Sequence, residues 1–189
     1  MDVELSDLPY LAAMHPEVPA FFGAGCLLLG GGAWWLALRR GWAPVPAALA
    51  GCALALALAV TVIRSPGQFS AGGLVPLDTL RECAAGSLSL ARTYEKLNVA
   101  MLVPLGFFGT LATRRPAAVA VSCLLLSGLL EFVQGATGGG TCQARDVVHN
   151  TMGGVLGVLL AMVLLGLMGR MQRSSAVTVD RGAGPGSSR

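Results

Sequence analysis

The residues of this chain that could carry out chemistry are polar side chains within or beside long apolar segments. Ionisable groups in such positions are costly in a bilayer, so they usually face a partner or a water-filled cavity. Carboxylates there can act as acid and base or bind a divalent cation through oxygen, and an arginine can hold an anionic group. Six residues form the candidate site on these grounds: Asn98, Glu131, Gln134, Arg145, Asp146 and Asn150.

The composition indicates that the elements carrying these residues lie in a membrane. Of the 189 residues, 54% are hydrophobic and 12% are charged, whereas soluble proteins carry about 25% charged residues. The net charge of +3 is not gathered into one long cluster, which argues against nucleic-acid binding. The sequence therefore predicts an all-α fold, a polytopic transmembrane helical bundle of about five spans. Each has close to the ~20 apolar residues that cross a bilayer, at about 18–38, 44–63, 97–113, 116–135 and 147–169.

Polar segments divide the chain into three parts. Residues 1–17 are acidic and are predicted to be an extracytoplasmic segment, and residues 18–173 form the transmembrane domain. Residues 174–189 are rich in Gly and Ser and are predicted to be a disordered cytoplasmic tail. Within the membrane domain, two polar loops are expected outside the bilayer core, at 64–96 and 136–146.

The arginines predict which side of the membrane each loop faces. One side carries arginines directly beside the ends of the spans, at Arg39, Arg40, Arg114, Arg115, Arg170 and Arg173. Because cytoplasmic loops carry an excess of Lys and Arg, this side is expected to be cytoplasmic. The N-terminus and both polar loops then face outward, and the C-terminus is cytoplasmic.

The candidate residues are predicted to meet at one depth near the outer surface. At about 1.5 Å per residue, Glu131 lies roughly 6 Å below the outer end of the fourth span. Gln134 lies one turn above it on the same face, and Asp146 and Asn150 share a face of the fifth span. Asn98 opens the third span from the same side. Convergence from three helices favours a polar pocket open to the outer leaflet.

Simpler interpretations of individual residues stay open at this point. Arg145 could form an ion pair with Glu131 or Asp146 that does no more than fix two helices together. His149 lies one helix position away from the face of Asp146 and Asn150, and is interpreted as an interfacial or packing residue. The polar residues would then lock the bundle without binding anything.

Small residues and a proline indicate how the helices pack. Pro104 should kink the third span, because it removes one backbone hydrogen bond. Gly153 and Gly157 have the small-xxx-small spacing that lets helices approach closely, and Gly106 is assigned the same packing role.

The cysteines predict no metal site. The chain has five cysteines but no C-x-x-C pair and no Cys/His spacing typical of zinc. It also lacks a nucleotide-binding glycine motif after a strand, so neither a metal nor a cofactor is expected.

Cys83 and Cys142 both fall in outward loops and could form a disulfide that ties the long loop over the pocket. Two free thiols at these positions are the alternative.

The order of the motifs resembles the VanZ-like family of membrane proteins. Residues 98–107 (NVAMLVPLGF) are similar to its N-hydrophobic-P-L-G-F helix, and Ser127, Glu131 and Gln134 to its S-hydrophobic-E-hydrophobic-Q helix. Residues 145–157 (RDVVHNTMGGVLG) are similar to its D-hydrophobic-hydrophobic-x-N-hydrophobic-hydrophobic-G-hydrophobic-hydrophobic-G segment. The family pattern has an arginine spaced from this aspartate (R-x-x-D), whereas Arg145 stands directly beside it. Residues 74–77 (LVPL) are similar to its N-L-I/V-P-F segment, with departures at both ends. The resemblance covers about residues 50–168.

The resemblance implies a multi-pass protein of the bacterial plasma membrane. The activity for which this family is named is low-level resistance to the glycopeptide teicoplanin. Together with the predicted pocket, this implies binding of an envelope lipid or of the lipid tail of a lipoglycopeptide. An alternative is an enzyme acting on a lipid-linked cell-wall intermediate, with Glu131 or Asp146 as general base. A structural or regulatory membrane protein is the third interpretation, and the oligomeric state is left open.

Overall fold

Five helical rods make up the computed structural model, which describes residues 17–63, 93–137 and 144–182. The first rod consists of α1 (Glu17–Gly25), a π-helical segment (Cys26–Gly30) and α2 (Gly31–Arg40). The others are α3 (Pro44–Ile63), α4 (Thr93–Thr113), α5 (Pro116–Thr137) and α6 (Ala144–Gly182). All five are long and apolar enough to cross a membrane. The prediction of an all-α bundle with five spans is therefore confirmed.

Two tight turns join rods at one end of the bundle. Gly41 adopts a left-handed conformation (φ 66°) after α2, and Arg114 does the same (φ 55°) after α4. Pro44 and Pro116 then open the next helices, at a position where the missing N–H of proline costs nothing. The backbone N–H of Ala43 donates to the carbonyl of Ala112 at 3.1 Å, so the two turns lie against each other.

This end of the bundle is rich in arginine and is called the arginine end below. Exposed side chains there include Arg39, Arg40, Arg114 and Arg115. The guanidinium of Arg39 lies 4.2 Å from the ring centre of Trp35. Tryptophan and arginine together are typical of a membrane–water boundary.

The distribution of side chains is that of a protein surrounded by lipid. The buried apolar side chains are mostly small, with Ala55, Ala57 and Ala59 of α3 as the clearest series. Large apolar side chains point outward instead, and Leu27, Leu125 and others on every rod are exposed. In water this arrangement would forfeit the hydrophobic driving force, whereas in a bilayer the outward face contacts acyl chains and the interior gains from close packing.

Helices α4 and α6 form the most extensive contact in the bundle. A Cβ atom added at Gly153 would meet the carbonyl oxygen of Val99, and one added at Gly157 would meet the carbonyl oxygen of Val103. A Cβ atom at Gly106 would meet the carbonyl oxygen of Gly154. Backbone therefore touches backbone along this contact. Helix α5 packs on α6 and also contacts α4, and α3 packs on α4 and on the first rod.

Several predicted boundaries move outward in the structure. The polarity of residues 93–96 places them in the predicted loop 64–96, but they form the first turn of α4, and Pro104 lies inside this helix. Likewise α6 begins at Ala144, within the predicted loop 136–146. Polar residues can extend a membrane helix, because adding a residue to an existing helix is far easier than starting one.

The last helix also extends into the predicted C-terminal tail. Helix α6 continues to Gly182 and so includes residues 174–182. This stretch continues a helix that is already nucleated inside the membrane. Residues 183–189 and residues 1–16 of the predicted N-terminal segment lie outside the described part of the chain.

Candidate functional site

Buried ionisable residues are concentrated at one end of the bundle. Glu95, Glu131 and His149 have relative exposures of 1%, 5% and 2%, and Asn150 is 5% exposed. They come from α4, α5 and α6, at the end of the bundle opposite the arginine end. With Asn98, Arg145 and Asp146 they form what is called the polar cluster below.

The helix termini explain why these residues come together. The first turn of α4 carries Glu95, and the first turn of α6 carries Asp146. Negative side chains are stabilised at these positions by the exposed N–H groups and the dipole of each helix. Because α4 and α6 both start at this end and are packed along their glycine contact, their first turns are brought side by side. Helix α5 arrives from the other direction and contributes Glu131 near its end.

An ion pair links the first turns of α4 and α6. Arg145 Nη1 lies 3.7 Å from Glu95 Oε1, and the two side chains are 18% and 1% exposed. The sequence suggests Glu131 and Asp146 as partners of Arg145, whereas this contact reaches Glu95, a residue of the predicted loop.

Asp146 lies at the centre of the polar cluster. It accepts a hydrogen bond from the side chain of Asn98 and is close enough to Arg145, His149 and Glu95 for electrostatic interaction. One of its oxygens, Oδ1, is buried and has no hydrogen-bond partner in the described part of the chain. The carboxylate of Asp146 therefore receives one hydrogen bond, while its Oδ1 receives none from the described residues.

Three further polar atoms of α6 share this situation. Asn150 Oδ1, His149 Nδ1 and Arg145 Nε are buried and make no hydrogen bond in the described part of the chain, although Arg145 contacts Glu95 through Nη1. Buried polar atoms almost always have a partner, because each one without a partner costs free energy. Four such atoms within six residues of one helix indicate a place where a ligand or water supplies the missing hydrogen bonds.

The structure brings most of the candidate residues together. Asn98, Arg145 and Asp146 are half-buried and Glu131 and Asn150 are buried, all at the same end of α4, α5 and α6. Gln134 lies in α5, but its side chain is outside the described residues, as are Cys83 and Cys142 with their proposed disulfide.

Sequence reasoning missed two members of the cluster. Glu95 precedes Asn98 by three residues and therefore shares its helix face, a signal that becomes visible once the helix is extended beyond its apolar part. His149 follows Asp146 by three residues, and the same rule places it beside the carboxylate. Glu95 was not a candidate because the apolar segment of α4 starts after it. His149 was not a candidate because it lies beside the helix face that Asp146 and Asn150 share.

The donor set is better suited to hydrogen bonding than to metal binding. Among the residues that the structure describes, no three His, Cys, Asp or Glu side chains are grouped so that they could hold a metal ion. Carboxylate, amide and imidazole groups at one site can instead orient a polar head group or exchange a proton with it.

Comparison with known proteins identifies the sequence family. A family model described as VanZ/LLP1 matches residues 48–165, which includes α4, α5 and most of the membrane part of α6. The comparisons with curated proteins and with solved structures give no match. The resemblance noted from the sequence motifs is therefore confirmed.

Proposed function

Since this chain belongs to the VanZ/LLP1 family, we propose that its polar cluster binds the head group of an envelope lipid or the lipid-bearing part of a lipoglycopeptide. The family is linked to glycopeptide resistance, and a membrane protein that binds lipids or lipid-tailed antibiotics in the outer leaflet is consistent with that link. The proposal concerns binding from the bilayer. The residues in contact with the head group would be Asn98, Glu131, Arg145, Asp146 and Asn150.

One observation carries this proposal. Asp146 Oδ1, His149 Nδ1 and Asn150 Oδ1 are buried without a hydrogen-bond partner in the described part of the chain. Much of the rest of the interior is built from alanine, glycine and a few larger apolar side chains, with Thr110 and Ser127 as buried hydroxyl residues outside the cluster. A bundle that needed only stability would gain more from such packing than from buried polar atoms. The presence of these polar atoms together at one end of α6 supports a binding role.

The proposed orientation places the polar cluster in the outer leaflet. The arginine end has four exposed arginines beside its two turns, and the excess of positive charge favours the cytoplasm. A green fluorescent protein fused after Gly182 should therefore fluoresce, and alkaline phosphatase fused at the same place should be inactive. Active phosphatase at this position would place the cluster in the inner leaflet and contradict the proposal.

Replacing Asp146 by asparagine is expected to weaken lipid binding about tenfold or more, because hydrogen bonds to a charged group are the strong ones. The substitution preserves the shape of the side chain. Native mass spectrometry of the detergent-purified protein would measure retention of three phospholipids (phosphatidylethanolamine, phosphatidylglycerol and cardiolipin) and, separately, of teicoplanin.

Lys96→Gln provides the matched control for this experiment. Lys96 lies in the first turn of α4 but is exposed, so its replacement should leave retention unchanged. De-acylated teicoplanin tests whether the lipid tail is needed. Equal retention of every probe by the wild type and Asp146→Asn would refute the proposal.

A second candidate function is catalysis on a lipid-linked cell-wall intermediate. The buried His149 beside Asp146 favours it, because a carboxylate next to an imidazole can orient that ring for proton transfer. Turnover of an added lipid-linked substrate that is lost in Glu131→Gln or Asp146→Asn would establish an enzyme. Saturable retention without turnover would support the binding function.

A further inference from the structure

We infer that the polar cluster selects a lipid whose head group carries a protonated primary amine, such as phosphatidylethanolamine, over an anionic lipid. This inference rests on the proposed lipid-binding function and specifies its ligand. It follows from the charges of the cluster, from its unfilled hydrogen-bond positions and from the contact already made by its arginine.

The charges of the cluster favour a cationic group. Among the described residues of the cluster, Glu95, Glu131 and Asp146 bring three carboxylates, whereas Arg145 brings one guanidinium. When the carboxylates are ionised and His149 is neutral, three negative charges against one positive charge leave an excess of two. A protonated histidine would still leave an excess of one. At the low dielectric of a membrane boundary, a cation that enters the cluster reduces this excess, while a phosphate increases it.

Two of the unfilled hydrogen-bond positions of the cluster require a donor. Asp146 Oδ1 and Asn150 Oδ1 are acceptors, they lie one helical turn apart on α6, and neither receives a hydrogen bond from the described residues. A primary ammonium has three donors and no acceptor, so it can satisfy both oxygens at once. A phosphate oxygen offers acceptors only and would meet acceptors at these two oxygens, whereas the Nε–H of Arg145 is a donor that the phosphate of the same lipid can use. A quaternary ammonium has the positive charge but no N–H group.

The arginine of the cluster is already engaged with a carboxylate. Arg145 Nη1 lies 3.7 Å from Oε1 of the almost fully buried Glu95. An anionic head group would have to compete with this carboxylate for the guanidinium, and it would leave Glu95 buried with less compensation. An ammonium leaves the ion pair intact.

A series of lipids with identical acyl chains tests the inference. Native mass spectrometry of the detergent-purified protein would compare phosphatidylethanolamine, phosphatidylcholine and phosphatidylglycerol. Loss of the N–H donors on full methylation should weaken binding about tenfold, in line with hydrogen bonds to charged groups. Phosphatidylglycerol should bind more weakly still. Equal affinity for phosphatidylethanolamine and phosphatidylcholine, or tighter binding of phosphatidylglycerol, would overturn the inference.

Two variants locate the preference at the cluster. Asp146→Asn should remove most of the preference for phosphatidylethanolamine over phosphatidylcholine, whereas Lys96→Gln should retain it. Asn150→Asp keeps the acceptor oxygen and adds a negative charge, so it should strengthen the preference for phosphatidylethanolamine. The reverse result would count against the inference.

Two outcomes separate this inference from the proposed function. Saturable binding of phosphatidylglycerol or teicoplanin that depends on Asp146 would support the proposed function and contradict the preference for a primary amine. Absence of any binding that depends on Asp146 would reject the proposed function itself.

Discussion

Replacing Gly153 by alanine is expected to destabilise the folded bundle by about 3 kcal/mol, since inserting atoms into a tightly packed contact forces backbone shifts. The added methyl group would occupy the position of the Val99 carbonyl oxygen on α4. A backbone oxygen cannot rotate away as a side chain can, so α4 and α6 would have to separate. Separation would also loosen the contacts at Gly157 and Gly106, which lie along the same interface.

Gly166→Ala is the matched control for this prediction. Gly166 lies on the same helix, and no atom lies within 4 Å of the place where its Cβ would be. Alanine is the better helix former by about 1 kcal/mol, so this variant should be as stable as the wild type or slightly more so. Thermal unfolding of both purified variants in the same detergent would measure the difference. Equal midpoints for the two variants would mean that the close α4–α6 contact is not needed for stability.

Replacing Arg145 by glutamine is expected to destabilise the protein by about 3 kcal/mol, because removing one partner of a buried ion pair leaves the other charge with less compensation. The affected charge is that of Glu95, whose side chain is 1% exposed and has little access to water. The reverse substitution, Glu95→Gln, should cost less, about 1 kcal/mol, because the long side chain of arginine can turn its guanidinium towards the membrane surface. Arg145 is already 18% exposed.

A double-mutant cycle measures the coupling between these two residues. The variant with both substitutions should be more stable than the sum of the two single effects suggests, because neither charge is then left without its partner. Lys96→Gln, at an exposed position of the same helical turn as Glu95, should change the unfolding midpoint little. Additive effects of Glu95→Gln and Arg145→Gln would show that the 3.7 Å contact contributes no coupling.

The sequence was sufficient for the features that depend on one helix at a time. The apolar length of each segment identified the five spans, and the spacing of Asp146 and Asn150 placed both on one face of α6. The motif order, with residues 98–107 as one of its closest matches, identified the family. These properties are local, so they need no knowledge of which helices are neighbours.

Features that depend on the contact between two helices were harder to predict from the sequence. The Arg145–Glu95 contact requires α4 to begin before its apolar segment and to lie against the first turn of α6, and neither condition is visible in the sequence. The burial of His149 has the same origin, because α4 and α5 cover two flanks of α6. Glycine spacing indicated that Gly153 would face a neighbouring helix, but not that the neighbour would be the carbonyl oxygen of Val99.

Helix α6 joins the polar cluster to the opposite side of the membrane without interruption. It has 39 residues, which corresponds to about 58 Å at 1.5 Å per residue, roughly twice the hydrocarbon thickness of a bilayer. It contains no proline between Ala144 and Gly182. Asp146 and the final turn therefore belong to one continuous helix, so a tilt or rotation of its first turn would be transmitted along the helix towards Gly182.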